Sequence, residues 1–195
     1  VAGEEQRWHH GRAADDIGDF GPQRGDASEL APLWHRGVLF DVARHRGVDV
    51  LPPSSRVGAV ELEEIAAVQG TDLRSGDVAL IRTGHLRDWP DAEKLDAHQG
   101  AGLDAGAAGW LVERGIAATG SDTTAYEALP APQDERPGNP MPVHTILLVE
   151  QGIPIMEMLY LEELAAAGLH EFLFVALPLK IRGATASMID PIAVA

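Results

Sequence analysis

The chain contains no cysteine, which excludes disulfides and thiolate metal sites alike and leaves histidine and carboxylate side chains as the only metal donors. Basic residues are scarce. Fifteen Lys and Arg stand against 30 Asp and Glu, for a formal charge of −15 and a pI near 4.8. Nucleic acid and anionic membrane are thereby disfavoured as partners, because most of the surface would repel them. The acid excess itself reads as a solvated, solubility-promoting surface. No apolar run reaches the length of a membrane span; the longest cover 172–179 and 146–149. With no signal peptide visible, the expectation is a soluble, cytoplasmic protein. Also missing are a Gly-x-Ser-x-Gly elbow, a Walker loop, a dinucleotide fingerprint, internal repeats and low-complexity tracts. An initiator Met is lacking too: the chain begins at Val1, so an amino-terminal segment, with any address it carried, is expected to have been removed.

What is present is enough for one domain with a real core, at 195 residues and 45% hydrophobic. Residues 1–33 are polar and punctuated by Gly3, Gly11, Gly18, Gly21 and Gly25, which predicts loop with at most one short helix. The β-forming run Gly37 to Val42 predicts a strand, and Pro52-Pro53 closes the loop after it. Val60, Leu62, Ile65, Ala66 and Val68 recur at helical spacing up to Gly70, with Glu61, Glu63 and Glu64 near the start, where the helix dipole favours acids. Strands are predicted over Val78–Arg82 and Ile116–Gly120, with a helix between them from about Ala105 to Arg114. A helix over Val143–Gln151, a strand over Ile153–Leu159, a helix over Leu161–Ala167 and the longest strand over Glu171–Ile181 complete the pattern. Alternating strands and helices predict an α/β fold with a mixed sheet and flanking helices, mixed because the short link 182–187 joins the last two strands.

Two residues draw attention to chemistry. His144 follows Pro142 at a predicted helix start, and Glu157 interrupts the apolar run Ile153-Pro154-Ile155-Met156 thirteen residues later. An imidazole and a carboxylate are ligand types that a transition metal uses. The bland alternatives are a helix cap or surface residue for His144, and a buried ion pair with Lys180 or Arg182 for Glu157. A buried carboxylate left without such a partner costs several kcal/mol. Asp122 and Glu127 follow a strand at the carboxyl edge of the predicted sheet, where α/β proteins bind ligands; for Asp122 the alternative is a cap over a helix at 123–127. His9 and His10 beside Trp8 could line a pocket or be exposed. His35, His45, His98 and His170 carry no spacing signal.

Several stretches together resemble the metal-dependent cyclase family, which includes bacterial kynurenine formamidases and isatin hydrolases. They are Gly37 to Arg44, Gly76 to Gly84, Pro142-Val143-His144, Gly152 to Glu157, and Glu171 through Pro178-Leu179 to Arg182-Gly183-Ala184-Thr185. The resemblance runs in order from about Trp8 to the carboxyl terminus. It implies a swivelling β/β/α fold and a hydrolase of a formamide, lactam or related amide, arylformamidase-like, that uses Zn2+ or Mn2+ to activate water and polarise the carbonyl, with a His as general acid or base. It further implies that His144 and Glu157 are metal ligands, that the substrate is a small-molecule amide or lactam, and that the chain forms a homo-oligomer; Trp8 and Asp122, by their places in the sequence, are the pocket candidates for that substrate.

The family signature His-x-Gly-Thr-His-x-Asp-x-x-x-His, which supplies the remaining ligands and the catalytic His, is absent. The resemblance therefore implies one cyclase-like domain over 1–195 that lacks its amino-terminal part, seen as a fragment of the enzyme. The alternative is a short homologue without catalysis that binds a small molecule or assembles oligomers. Takeover of the missing ligand roles by His9, His10 or His85 is a third route that the spacing does not suggest.

Overall fold

The computed structural model describes residues 32–131, 136–182, 184 and 186–195. In chain order the elements are β1 (Leu33–Asp41), α1 (Val42–His45), β2 (Arg56–Val57), α2 (Ala59–Gln69), β3 (Val78–Arg82), a 3-10 turn (His85–Asp88), α3 (Ala92–Ala97), β4 (Gly102–Leu103), α4 (Ala105–Glu113), β5 (Ala118–Ser121), α5 (Pro142–His144) running on as a π-helical segment (Thr145–Glu150), β6 (Ile155–Met156), α6 (Glu162–Ala167), β7 (Glu171–Ala176) and β8 (Ile192–Val194).

Six strands form one mixed sheet in the order β6-β5-β3-β1-β7-β8, and β2 pairs with β4 in a second, two-stranded sheet. β1, β3, β5 and β6 are mutually parallel, while β7 lies antiparallel to β1 and β8 antiparallel to β7. The α/β fold with a mixed sheet and flanking helices is the one expected from the pattern. Since the four parallel strands point one way, the residues that follow their carboxyl ends gather along one edge of the sheet.

Both faces of the parallel part of the sheet are covered, so β3, β5, β6 and the second half of β1 are buried on both sides, and β1 and β3 read there as near-continuous apolar runs. Val38, Phe40, Ala79 and Ile81 pack with Leu62 and Ile65 of α2, Leu111 of α4 and Leu147 after α5. Leu39, Val78 and Leu80 face the other way, against Leu164, Phe172 and Phe174. Phe40 meets Trp110 edge to face at 5.9 Å between centroids, and the Arg114 guanidinium lies 3.6 Å over the same indole. Burying each such aliphatic or aromatic side chain stabilises the fold by about 1.5–3 kcal/mol. One glycine is required by packing: a Cβ on Gly37 would lie 2.3 Å from the ring of Phe172 on the neighbouring strand.

Several elements differ from the sequence expectation for local reasons. β1 starts at Leu33 and, at nine residues, is the longest strand, because its first half pairs with β7. The predicted strand 171–181 stops at Ala176, two residues before Pro178, which cannot donate to a ladder. The predicted strand 153–159 shrinks to Ile155–Met156; Met158 has φ 56° and turns the chain, so Glu157 follows the strand rather than lying in it. Helix 143–151 forms, but six of its residues wind as a π-helix, with the Gln151 N–H donating to the Ile146 carbonyl at 3.1 Å. No helix forms over 123–127, which removes the cap reading of Asp122.

Candidate functional site

The carboxyl edge of the parallel strands collects the buried polar groups. At the ends of β1 and β3, Arg82 donates to Asp41 at 2.7 Å and through two nitrogens to Glu162 at 2.8 Å each. Burial works against the guanidinium charge, and the bonds to Glu162 and Asp41 more than offset it, so its pKa is raised. Asp41 also caps α1, accepting from the Arg44 N–H at 3.1 Å. This cluster fastens two strand ends to α6.

Asp122 follows β5 and is fully buried. It accepts hydrogen bonds from the backbone N–H groups of Thr83, Gly84 and His85 and from the Thr83 hydroxyl, the shortest being 2.7 Å from Gly84. Gly84 has φ 84°, and a Cβ there would lie on the Asp49 carbonyl, so the sharp turn that aims these donors needs glycine. Burial pushes the Asp122 carboxyl up to about 6 against the pull of the Thr83 donors. The side chain therefore fixes the loop after β3, and its oxygens are spent on that loop.

Glu157 and His144 are brought together. Register pairs Gly120 with Met156, which carries Glu157 to the level of Ser121, one residue short of Asp122, at neighbouring strand ends. His144 Nε2 lies 3.4 Å from Glu157 Oε1. His144 is thus one partner of the buried Glu157. The other ring nitrogen, Nδ1, is 2.5 Å from Glu127 Oε1. Glu127 is 1% exposed and accepts as well from the backbone N–H groups of Val143 and His144, at 3.2 and 3.0 Å. Pro142 at the first helical position has no N–H, so these are the leading donors of α5, and one carboxylate satisfies both. Burial opposes protonation of His144, but the hydrogen bonds and charges of Glu127 and Glu157 outweigh it and raise its pKa to about 9.

The pair is suited to one side of a metal site. Donor atoms bound at about 2.0–2.1 Å around a tetrahedral metal stand about 3.3–3.4 Å apart, which the His144 to Glu157 separation of 3.4 Å matches. The donor set, one imidazole nitrogen and one carboxylate oxygen, fits zinc and manganese chemistry equally. Among the described residues no group of three or more His, Asp and Glu side chains is arranged to hold a metal ion, so this pair contributes two donors and His85 does not complete it. Trp8, His9 and His10 lie outside the described residues.

Sequence reasoning placed Glu127 at the carboxyl edge but missed its role. The signal that singled out Glu157, an acid amid apolar neighbours, was also there in Tyr126-Glu127-Ala128-Leu129.

A mixed sheet with carboxylates and an imidazole at the carboxyl edge of its parallel strands defines an α/β protein with these groups at the edge where such folds tend to bind ligands. The chain matches the cyclase family model over residues 6–128. It belongs to the cyclase family. Among solved structures it is similar to a cyclase described as novel, at 33% identity and TM-score 0.71, over 82% of this chain and 53% of that one. It is similar also to isatin hydrolase A from Ralstonia solanacearum, at 22% identity and TM-score 0.70, over 89% and 66%. A third is a predicted metal-dependent hydrolase from Bacillus stearothermophilus, at 21% identity and TM-score 0.58, over 83% and 63%. The chain thus spans between 53% and 66% of the length of these three. No curated protein matches it significantly. No helix among the described residues is long and apolar enough to cross a membrane.

Proposed function

We propose that this chain carries part of the active site of a metal-dependent hydrolase acting on a small amide, formamide or lactam, arylformamidase-like in its chemistry. The observation that carries the reading is the approach of His144 Nε2 to Glu157 Oε1 at tetrahedral-edge distance, in a family with neighbours described as an isatin hydrolase and a metal-dependent hydrolase. A bound Zn2+ or Mn2+ would supply Lewis acidity toward the carbonyl oxygen and a more acidic water. His144 would bind it through neutral Nε2, which requires the imidazolium to release a proton. Glu157 would bring a negative charge that offsets the metal's own. Asp122 would act on the substrate indirectly, by holding the Thr83-Gly84-His85 loop as a fixed wall. In the net reaction, water adds to the carbonyl carbon, the C–N bond breaks, and the nitrogen takes a proton. Trp8 remains the proposed aromatic contact for the substrate. A soluble cytoplasmic homo-oligomer, with neither nucleic acid nor membrane as partner, is part of the same proposal.

The test is hydrolysis of an N-formyl arylamine and of an aryl lactam by the purified chain with added Zn2+ or Mn2+. A metal-dependent rate above buffer that disappears in His144→Ala and Glu157→Gln is expected; a loaded chain no faster than buffer would count against the reading. A second reading has its own observation, since only two donors converge among the described residues. Saturable binding of metal and lactam without turnover would identify a binding or assembly module in place of an enzyme.

A further inference from the structure

We propose that Glu127 is a positioning residue that sets the ring of His144 so that Nε2 faces the metal position shared with Glu157. The inference rests on the metal reading above and assigns a role to a third side chain within it.

One carboxylate grips His144 twice. Its Oε1 faces both the backbone N–H of His144, at 3.0 Å, and ring Nδ1, at 2.5 Å, while Oε2 takes the Val143 N–H at 3.2 Å. The Cα of His144 and its ring are therefore tied to one rigid point, which leaves little freedom to the side-chain torsions between them. Once neutral, the ring has one tautomer compatible with this grip: Nδ1 carries the hydrogen and donates it, and Nε2 keeps its lone pair. Glu127 lies nearer its nitrogen than Glu157 does to the other, 2.5 against 3.4 Å, so the proton belongs on the Glu127 side.

Glu127 is itself held from behind. The Tyr126 carbonyl accepts from the Leu103 N–H at 3.1 Å, and the Ala128 N–H donates to the Leu103 carbonyl at 2.9 Å. These bonds fix the backbone on both sides of Glu127 against β4. Tyr126 has φ 54° and is fully buried with its hydroxyl 2.5 Å from Thr119 Oγ1, so the turn that delivers Glu127 is anchored in β5. A Cβ on Gly102 would lie 2.3 Å from the Tyr126 carbonyl, and only glycine lets β4 come this close. A carboxylate that merely capped α5 would need the two backbone contacts and not the ring. An acid donating its charge to the far nitrogen of a metal-binding imidazole also raises the ligand's basicity, and loss of such a partner costs roughly 10–100-fold in metal affinity.

The experiment compares wild type, Glu127→Gln and Glu127→Ala by zinc affinity, measured by competition with a chromophoric chelator, and by 15N spectra of the His144 ring in the metal-free chain above the imidazole titration. Wild type should show the Nδ1–H tautomer. Glu127→Gln keeps an acceptor oxygen and should keep that tautomer and the melting temperature of a folded chain, with zinc affinity down about tenfold; Glu127→Ala should mix the tautomers and lose about 100-fold. An Nε2–H tautomer in wild type, or a folded Glu127→Gln that binds zinc as tightly as wild type, would overturn the proposal. Absence of zinc binding in wild type with the Nδ1–H tautomer intact would instead sink the metal reading and leave the positioning of the ring standing, so the two failures are told apart.

Discussion

Replacing Arg82 with Met tests whether the carboxyl edge is held by charge. The guanidinium is 8% exposed and makes three charge-assisted bonds, one to Asp41 and two to Glu162. Met matches the stem and leaves no charge, so Asp41, 1% exposed, stays behind as a buried carboxylate. Breaking one partner out of a buried pair costs about 3–5 kcal/mol. The lower end applies here, because Asp41 keeps the Arg44 N–H at 3.1 Å and the more exposed Arg44 side chain at 3.6 Å, and because Glu162, 16% exposed at its side chain, can turn to water. A loss of about 3 kcal/mol is therefore expected in urea denaturation at neutral pH with an unchanged denaturant slope. Asp41→Asn in the Arg82→Met background should cost far less than in wild type, with a coupling of about 2 kcal/mol in the double-mutant cycle. An Arg82→Met loss below about 1 kcal/mol, or additive single effects, would refute the reasoning.

Gly37→Ala should lower stability by about 1–3 kcal/mol, since its Cβ would meet the Phe172 ring at 2.3 Å; Phe172→Leu in the same chain should return part of it, measured by melting temperature. Metal-stripped protein should lose stability as pH rises. With the His144 pKa raised to about 9 from an unfolded value of about 6.5, the stabilisation is complete below about pH 6.5 and disappears through pH 9. It amounts to roughly 2–3 kcal/mol, reduced because the ring is 13% exposed, and His144→Gln should flatten the slope in that window. Tyr126→Phe, which strands the buried Thr119 hydroxyl of one partner while its bond to the Ala79 carbonyl at 2.8 Å survives, should cost about 1 kcal/mol in the same denaturation assay.

The sheet was legible where residues are buried on both faces, as in Gly37 to Asp41 and Val78 to Arg82, because parallel strands write themselves as continuous apolar runs. Strand length was less legible. Only the partner decides that β1 extends back to Leu33 and that the stretch after Pro154 pairs for two residues, and a single sequence carries no partner information. The π-helical segment was likewise hidden, since Thr145 to Glu150 has the same apolar spacing that an α-helix would have. At the site, a carboxylate among apolar neighbours pointed to Glu157 and its pairing with His144 as metal-donor types was readable from the residues, while their roles as ligands came with the family resemblance. Glu127 showed the same anomaly in sequence. Its function depends on the turn at Tyr126 and on the bare helix start after Pro142, which bring residues 127 and 144 together in space and leave no periodic trace.

The account turns on His144 and Glu157 binding one metal ion between them. Its most direct test is titration of the dialysed chain with Zn2+ and Mn2+, followed by metal content by mass spectrometry, for wild type, His144→Ala and Glu157→Gln at matched melting temperature. One saturable equivalent in wild type, with affinity at least tenfold weaker in each variant, is the predicted result. No saturable binding in wild type, or equal binding in all three, would contradict it.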